Sequence, residues 1–148
     1  DKNAKAFFKC MSRVKQMVNT RKIYDKEPSV DFYGQDYNSS LPLAPNSFDL
    51  LVSLYAGVIS QPCKQYLSVG GMLLVNNSHA DAGVASLDED FELVAVLNRN
   101  RKKPISTANL GKYFQPKSAR NEDLSIEDLI KSGKGIQYSH TADFYLFK

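Results

Sequence analysis

Apolar residues along this chain follow two patterns, helical spacing at the amino end and unbroken runs further on. Between residues 3 and 19, Ala4, Phe7, Phe8, Met11, Val14 and Val18 recur at helical spacing, with Lys5, Lys9, Arg13 and Lys15 on other faces. That pattern predicts an amphipathic helix. Asp1 or Asn3 is placed to cap it, and Asn19-Thr20 to end it. Residues 21–29 are polar and contain Pro28 as a breaker. Residues 30–33 read as a short strand between Pro28 and Gly34, and "GQDYNSSLPLAPN" reads as loop.

From residue 48 to 54 the chain is apolar except at Asp49 and Ser53. Continuous rather than alternating hydrophobicity predicts a strand covered on both faces, as in a parallel sheet. Residues 57–67 read as a helix containing Pro62, and "VGG" at 69–71 as a sharp break. Residues 72–75 form a second buried run, ending in the polar loop "NNSHADAG". Residues 91–97 read as a further strand and "NRNRKKP" as a basic, turn-rich loop. Residues 109–114 suggest a short helix. Residues 125–131 give a clearer one, with Ser125 and Asp128 in an approximate capping box and Gly133 closing it. Residues 144–147 are a last aromatic strand. Buried strands alternating with helices predict an α/β sheet with helices on both faces. Two late strands without a full helical crossover predict an antiparallel edge.

In open α/β sheets, ligands bind beyond the carboxyl ends of the strands. Three strand ends carry unusual polar content here: Gln35-Asp36-Tyr37, Ser53-Leu54-Tyr55 and Asn76-Asn77-Ser78-His79. A strand that only fills a core has no need to finish on Ser53-Leu54-Tyr55-Ala56-Gly57. An Asp followed by an aromatic suits adenine, since the carboxylate accepts from the exocyclic amine and the ring stacks. Equally, Asp36 can cap a turn while Tyr37 packs.

Composition narrows the classes. The chain has 148 residues, 43% hydrophobic and 24% charged, which is the size and balance of one ordinary domain able to bury a core unaided. A net charge of +3 does not by itself argue for nucleic acid. Residues 1–30 hold eight Lys/Arg against three Asp/Glu, and the remainder holds eleven against thirteen. The basic amino end therefore reads as a solvated helix face or a phosphate-binding one. Cys10 and Cys63 are far apart and form no C-x-x-C, so neither zinc nor a disulfide framework is expected. Reduced thiols fit a cytoplasmic location. No apolar run approaches the roughly 20 residues of a membrane span, no signal peptide is visible, and no metal is expected. The sequence starts at Asp1 without Met, which suggests a processed, trimmed or partly ordered piece of something longer.

With these elements in order, "DYNSSLPLAPNSFDLLVS" (36–53) resembles the region of class I S-adenosylmethionine-dependent methyltransferases where an Asp-x loop, a Leu-Pro and a Phe-Asp-Leu strand follow one another. "YLSVGGMLLVN" (66–76) resembles the next helix end, Gly-Gly turn and strand. "DFELVAVLN" and "ADFYLFK" resemble the closing antiparallel pair. The resemblance covers nearly the whole chain. It implies a Rossmann-like sheet, mostly parallel with one antiparallel strand near the carboxyl terminus, in a single, partial domain spanning residues 1–148. It implies S-adenosylmethionine as cofactor, with Asp36 on the adenine amine and Tyr37 beside the ring. Ser53, Leu54 and Tyr55 would flank the methionine part, and Asp1 would hold the ribose hydroxyls. The family's first strand and Gly-x-Gly-x-Gly loop have no counterpart here, which implies truncation at the amino end. The acceptor, whether small molecule, RNA or protein, is left open, and so are catalytic residues.

Other residues are set aside. His79 near Asp81 has no Ser or Cys nucleophile placed against it, and His140 precedes the last strand on the surface. Asp88, Glu89 and Asp90 read as a solvated turn rather than metal ligands. Arg99, Arg101, Lys102 and Lys103 lack interleaved aromatics and read as a solvated hairpin tip. No DPPY- or NPPY-like motif follows the strand at Phe48. Methyl transfer needs little acid–base chemistry because positioning supplies much of the acceleration, so the lack of a triad does not count against an enzyme. The competing expectation is a non-catalytic Rossmann-like binding or scaffold domain that has lost the cofactor.

Overall fold

The structure, a computed structural model, describes residues 8–100, 102–118 and 123–148. It falls into two compact units, Asp1–Leu41 and Pro42–Lys148. In the first, helix α1 spans Met11–Arg21. Val14 is buried and Met11 and Val18 are half-buried, following the helical spacing of the apolar residues. Arg21 in the last turn suits the negative end of the helix dipole, and Lys22 turns extended to end it. Asp1, Ala4 and Phe7 lie outside the described residues. Phe8 stacks on Phe32 with ring centroids 4.3 Å apart and planes at 5°. Residues 30–33 form no strand. Among the described residues none pairs with their backbone in a sheet, and the Phe32 ring stacks on Phe8.

The second unit is built on five strands: β1 (Phe48–Ser53), β2 (Leu67–Val75), β3 (Leu93–Leu97), β4 (Ile105–Ser106) and β5 (Phe144–Phe147). The order across the sheet is β1-β2-β5-β3-β4. Only β1 and β2 pair in parallel. The other three pairings, β2 with β5, β3 with β5 and β3 with β4, are antiparallel. This overturns the expectation of a mostly parallel Rossmann-like sheet. The physical reason is connectivity. A parallel pair needs a crossover, and the chain supplies one between β1 and β2. The last strand instead inserts between β2 and β3, and the two-residue β4 folds back as a hairpin. The Phe144 strand lies antiparallel between the Met72 strand and the one after Phe91, which agrees with the expected antiparallel strand near the carboxyl terminus. Because β2 and β3 both run against β5, strands β1, β2 and β3 point the same way.

The helix expected at 57–67 shrinks to α2 (Ser60–Cys63) and a 3-10 turn at Lys64–Tyr66. Pro62 is tolerated in so short a helix because first-turn N–H groups have no intrahelical acceptor. β2 then starts at Leu67, so "VGG" lies inside a strand. Phe48 faces Leu67 and Leu50 faces Met72, so two steps on β1 oppose five on β2. Gly70 takes a φ of 80° in this bulge, and a Cβ on Gly71 would lie 2.8 Å from Ser68 O. Glycine is required at both for these distinct reasons.

The two faces of the sheet differ. Register places Leu73, Val75, Val96, Tyr145 and Phe147 on one face, and all five are buried at 0–1% exposure. Leu51 joins them, and Ala82, Ala85 and Tyr113 cover them. Helix α3 (Asp81–Leu87) supplies those alanines and turns Ala80 and Val84 toward Leu129 of α4 (Ile126–Ser132). With neighbours on both sides, α3 is buried from Asp81 to Ala85. The capping box of α4 forms as read, Ser125 with Asp128, and Gly133 closes it at φ 60°. On the opposite face Phe48, Leu50 and Val52 remain 43%, 52% and 51% exposed. The expectation of a β1 covered on both faces is therefore corrected: β1 is an edge strand, and one of its faces is open.

This asymmetry sets a stability test. Leu73→Ala should lower the unfolding free energy by about 2–5 kcal/mol, read from urea melts of the 148-residue chain. Leu50→Ala, two strand positions from the same sheet centre but on the open face, should change it by less than about 1 kcal/mol. Equal losses would mean that the Leu50 face is covered.

Candidate functional site

The carboxyl ends of β1 and β2 meet in one polar cluster. Its centre is the buried carboxylate of Asp81, at the start of α3. Asp81 Oδ2 accepts a hydrogen bond from Ser53 Oγ and one from the Ile59 N–H at 3.1 Å. Its Oδ1 accepts from the Ser60 N–H at 3.1 Å. One carboxylate thus fixes the end of β1, the crossover and α3 in register. Hydrogen bonds to a charged group contribute more than neutral ones, about 1.5–3 kcal/mol each. The Asp81 charge also acts on Cys63: burial, then this charge, push its thiol pKa up. Cys63 is a buried free thiol and Cys10 an exposed one, and the raised pKa makes Cys63 a poor nucleophile.

Beside this tie sits a second one. Asn76, at the end of β2, is buried, and its Oδ1 accepts from the Tyr55 N–H at 3.2 Å and from Ser78 Oγ at 3.0 Å. Ser78 Oγ also lies 2.9 Å from His79 Nδ1. Asn77 Oδ1 accepts from the Gly83 N–H at 3.2 Å. Two non-glycine residues here hold left-handed backbone, Tyr55 at φ 57° and Ala80 at φ 71°. Such conformations are strained and concentrate at functional sites. Ala80 is fully buried, whereas Tyr55 leaves 60% of its surface exposed.

The candidate residues read from the sequence divide as follows. Ser53, Leu54 and Tyr55 do close β1, but Ser53 is 2% exposed and committed to Asp81. Asp36 and Tyr37 belong to the first unit and follow no strand. Asp36 Oδ1 accepts from the backbone N–H of Asn38 at 2.9 Å and from its side-chain amide at 3.1 Å, which is the turn-capping geometry of an Asx residue. Tyr37 is half-buried. Asp1 is outside the described residues. Sequence reading missed Asp81 as the organising group. Its signal was weak, since an Asp inside "HADAG" looks like loop.

At the other end of the sheet a cavity of about 490 Å³ opens between Gln61, Lys64, Leu67, Phe91 and Lys148. Lys64 Nζ bridges Asp88 at 2.9 Å and Asp90 at 2.6 Å, and Gln61 donates to Asp88 at 2.6 Å. Asp88 is buried, so the expected solvated turn is corrected: its first carboxylate is drawn inward because Gln61 and Lys64 satisfy it. Burial pushes the Asp88 carboxyl up, but hydrogen bonds from Gln61, Lys64 and the Asp90 N–H outweigh it and hold it below its ordinary value. Among the described residues no group of three or more His, Cys, Asp or Glu could hold a metal ion. Among them, too, no helix is long and apolar enough to cross a membrane.

Asp81→Ala should destabilise the chain by roughly 3 kcal/mol or more, because it strands three buried donors at once, while Tyr55→Ala should do far less. Thermal melts of both variants check this, and equal melts would remove Asp81 from the centre of the fold. The Asp88 clamp has its own signature. A depressed carboxyl contributes stability that is present above its ordinary value of 3.8 and is lost as pH falls through the folded value. Hydrogen bonds to Asp90, then to Asp88, raise the Lys64 pKa, so its contribution is present below 10.5 and is lost as pH rises through the folded value. Wild type should out-melt Asp88→Asn at neutral pH, and the gap should close as pH falls below 3.8 and through the lowered folded value. A gap that persists there would exclude the clamp. Comparison with family models, with curated proteins and with solved structures finds no match to this chain.

Proposed function

We propose that this chain acts in S-adenosylmethionine-dependent methyl transfer, with the cofactor at the carboxyl ends of β1 and β2. The observation that carries the reading is the pair of left-handed residues, Tyr55 and Ala80, flanking Asn76 at the carboxyl end of the parallel pair. Ligands of α/β sheets bind at that end, and backbone strain there is of the kind that sites retain. The sequence resemblance points to the same stretch.

The residues fit the cofactor in part. Leu54 is half-buried and Tyr55 exposed, a wall suited to the methionine portion. Ser53 does not fit, since its hydroxyl is consumed by Asp81. When bound, S-adenosylmethionine supplies a methyl group already activated on sulfonium, and the chain's task is to position it and its acceptor. The second reading, a non-catalytic binding or scaffold domain, is favoured by the same commitment of Ser53 and by the turn-capping of Asp36.

Calorimetric titration of S-adenosylmethionine and S-adenosylhomocysteine into the 148-residue chain separates them. The methyltransferase reading expects binding that Tyr55→Ala weakens, through the lost contact of an exposed ring. Ser53→Ala should lower the melting temperature and leave affinity per folded molecule unchanged. Absence of binding by folded wild type leaves the scaffold reading.

A further inference from the structure

We infer that the carboxyl end of the sheet is a binding surface for single-stranded nucleic acid, with Tyr55 as the stacking ring and the β3–β4 hairpin as the phosphate contact. As an account of why the strand is bound, this rests on the methyl-transfer reading and names its acceptor class. The binding itself requires no cofactor.

The topology brings the parts together. β1, β2 and β3 point the same way, so the loops after Ser53, Val75 and Leu97 emerge at one end of the sheet. β1 and β3 lie three strand spacings apart in the sheet, about 14 Å between the strands that carry Tyr55 and the hairpin. The hairpin is pinned at its base, where the Asn98 N–H donates to Pro104 O at 2.7 Å and the Arg99 N–H to Asp143 Oδ2 at 2.7 Å. The Arg99 guanidinium lies 5.3 Å from the centre of the Phe144 ring. Lys102 and Lys103 are exposed beyond it. A further cation, the exposed Lys134, rides on a loop tied to β2's end by the bond from Asn77 Nδ2 to Ile136 O. A partly exposed carboxylate, Asp143, pairs with Arg99 at 3.9 Å. Asp81 is buried and consumed.

An exposed aromatic thus stands at the same end of the sheet as the basic run. Tyr55 is 60% exposed, its left-handed backbone held by Asn76. A cationic track with an exposed ring is the chemistry of single-strand binding, in which phosphates meet Lys/Arg and bases stack on aromatics. A paired duplex hides the base faces that Tyr55 would stack on, and an acidic peptide has no bases. Both are alternatives for the test to reject.

A short fluorescein-labelled single-stranded RNA, titrated with the 148-residue chain by fluorescence anisotropy, decides the matter. Wild type should bind without S-adenosylmethionine, and affinity should fall steeply with salt. Lys102→Glu/Lys103→Glu should weaken binding at least about tenfold and lower the salt slope by about 1.4, at about 0.7 per lost single-strand phosphate contact. Tyr55→Ala should weaken binding about fivefold or more and leave the slope unchanged. Both sites are exposed, and circular dichroism confirms the fold of each variant. No binding at low salt, a charge-reversed hairpin that binds like wild type, or displacement by polyglutamate or duplex as effective as by unlabelled single strand would each overturn the proposal. A chain that binds RNA but not S-adenosylmethionine refutes the methyl-transfer reading and leaves this surface standing.

Discussion

The carboxylate of Asp81 is the constraint from which the second unit's geometry follows. It is buried where an unpaired charge would be costly to desolvate, so its donors are obligatory. Those donors come from one stretch 21 to 28 residues earlier in the chain: the Ser53 hydroxyl at the end of β1, and the Ile59 and Ser60 N–H groups in the crossover. Satisfying one residue therefore fixes where β1 stops, how the crossover turns into α2, and where α3 begins. The small residues of α3 follow from that position. Held between sheet and α4, its turns meet Tyr113 on one side and Leu129 on the other, and Gly83 has no room for a methyl, since a Cβ there would lie 2.6 Å from Tyr138 Oη. Burial and the neighbouring Tyr145 in turn push the Tyr138 pKa up to about 12, so that phenol stays neutral in the packed layer.

The sheet built on this anchor is two-faced. Its helix-covered face holds the largest fully buried side chains, while the face carrying Phe48, Leu50 and Val52 is open. Hydrophobic stabilisation scales with apolar area removed from water, so the covered face holds the unit together. Natural edge strands are blunted by charges, prolines or bulges. β1 has Asp49 within it and Pro45 three residues ahead, and its partner β2 carries the glycine bulge at 68–71. These devices guard the edge while leaving the Leu50 side apolar.

What the sequence made legible follows from how local each signal is. The runs at 48–54, 72–75 and 144–147 are strands because unbroken apolar stretches bounded by turns have few other ways to be buried. The Ser125–Asp128 box was readable because a cap is a contact over three residues. Strand direction was not readable. It is set by which strands the last segment inserts between, a long-range choice that no window of residues contains. Helix α3 was invisible for a related reason. "DAGVASL" has no amphipathic stripe to detect, because a helix packed on both sides needs small residues all round. The strand at 30–33 failed in the opposite way: its local pattern suited a strand, but none of the described residues pairs with it.

The choice of Ser-Leu-Tyr-Ala-Gly to end β1 then resolves into two layers of cause. Ser53 is structural, because its hydroxyl is one of the donors that make Asp81 tolerable. Gly57 is structural too, at φ 90°, where the backbone turns toward the crossover. Tyr55 is different. Its N–H is given to Asn76, but any residue has that N–H, and glycine or asparagine would hold φ 57° with less strain. A large ring in a left-handed position, left mostly in water, contributes neither burial nor conformational ease. Folding therefore accounts for Ser53 and Gly57 and leaves the Tyr55 ring unexplained, and a side chain that stability does not require is where a ligand contact belongs.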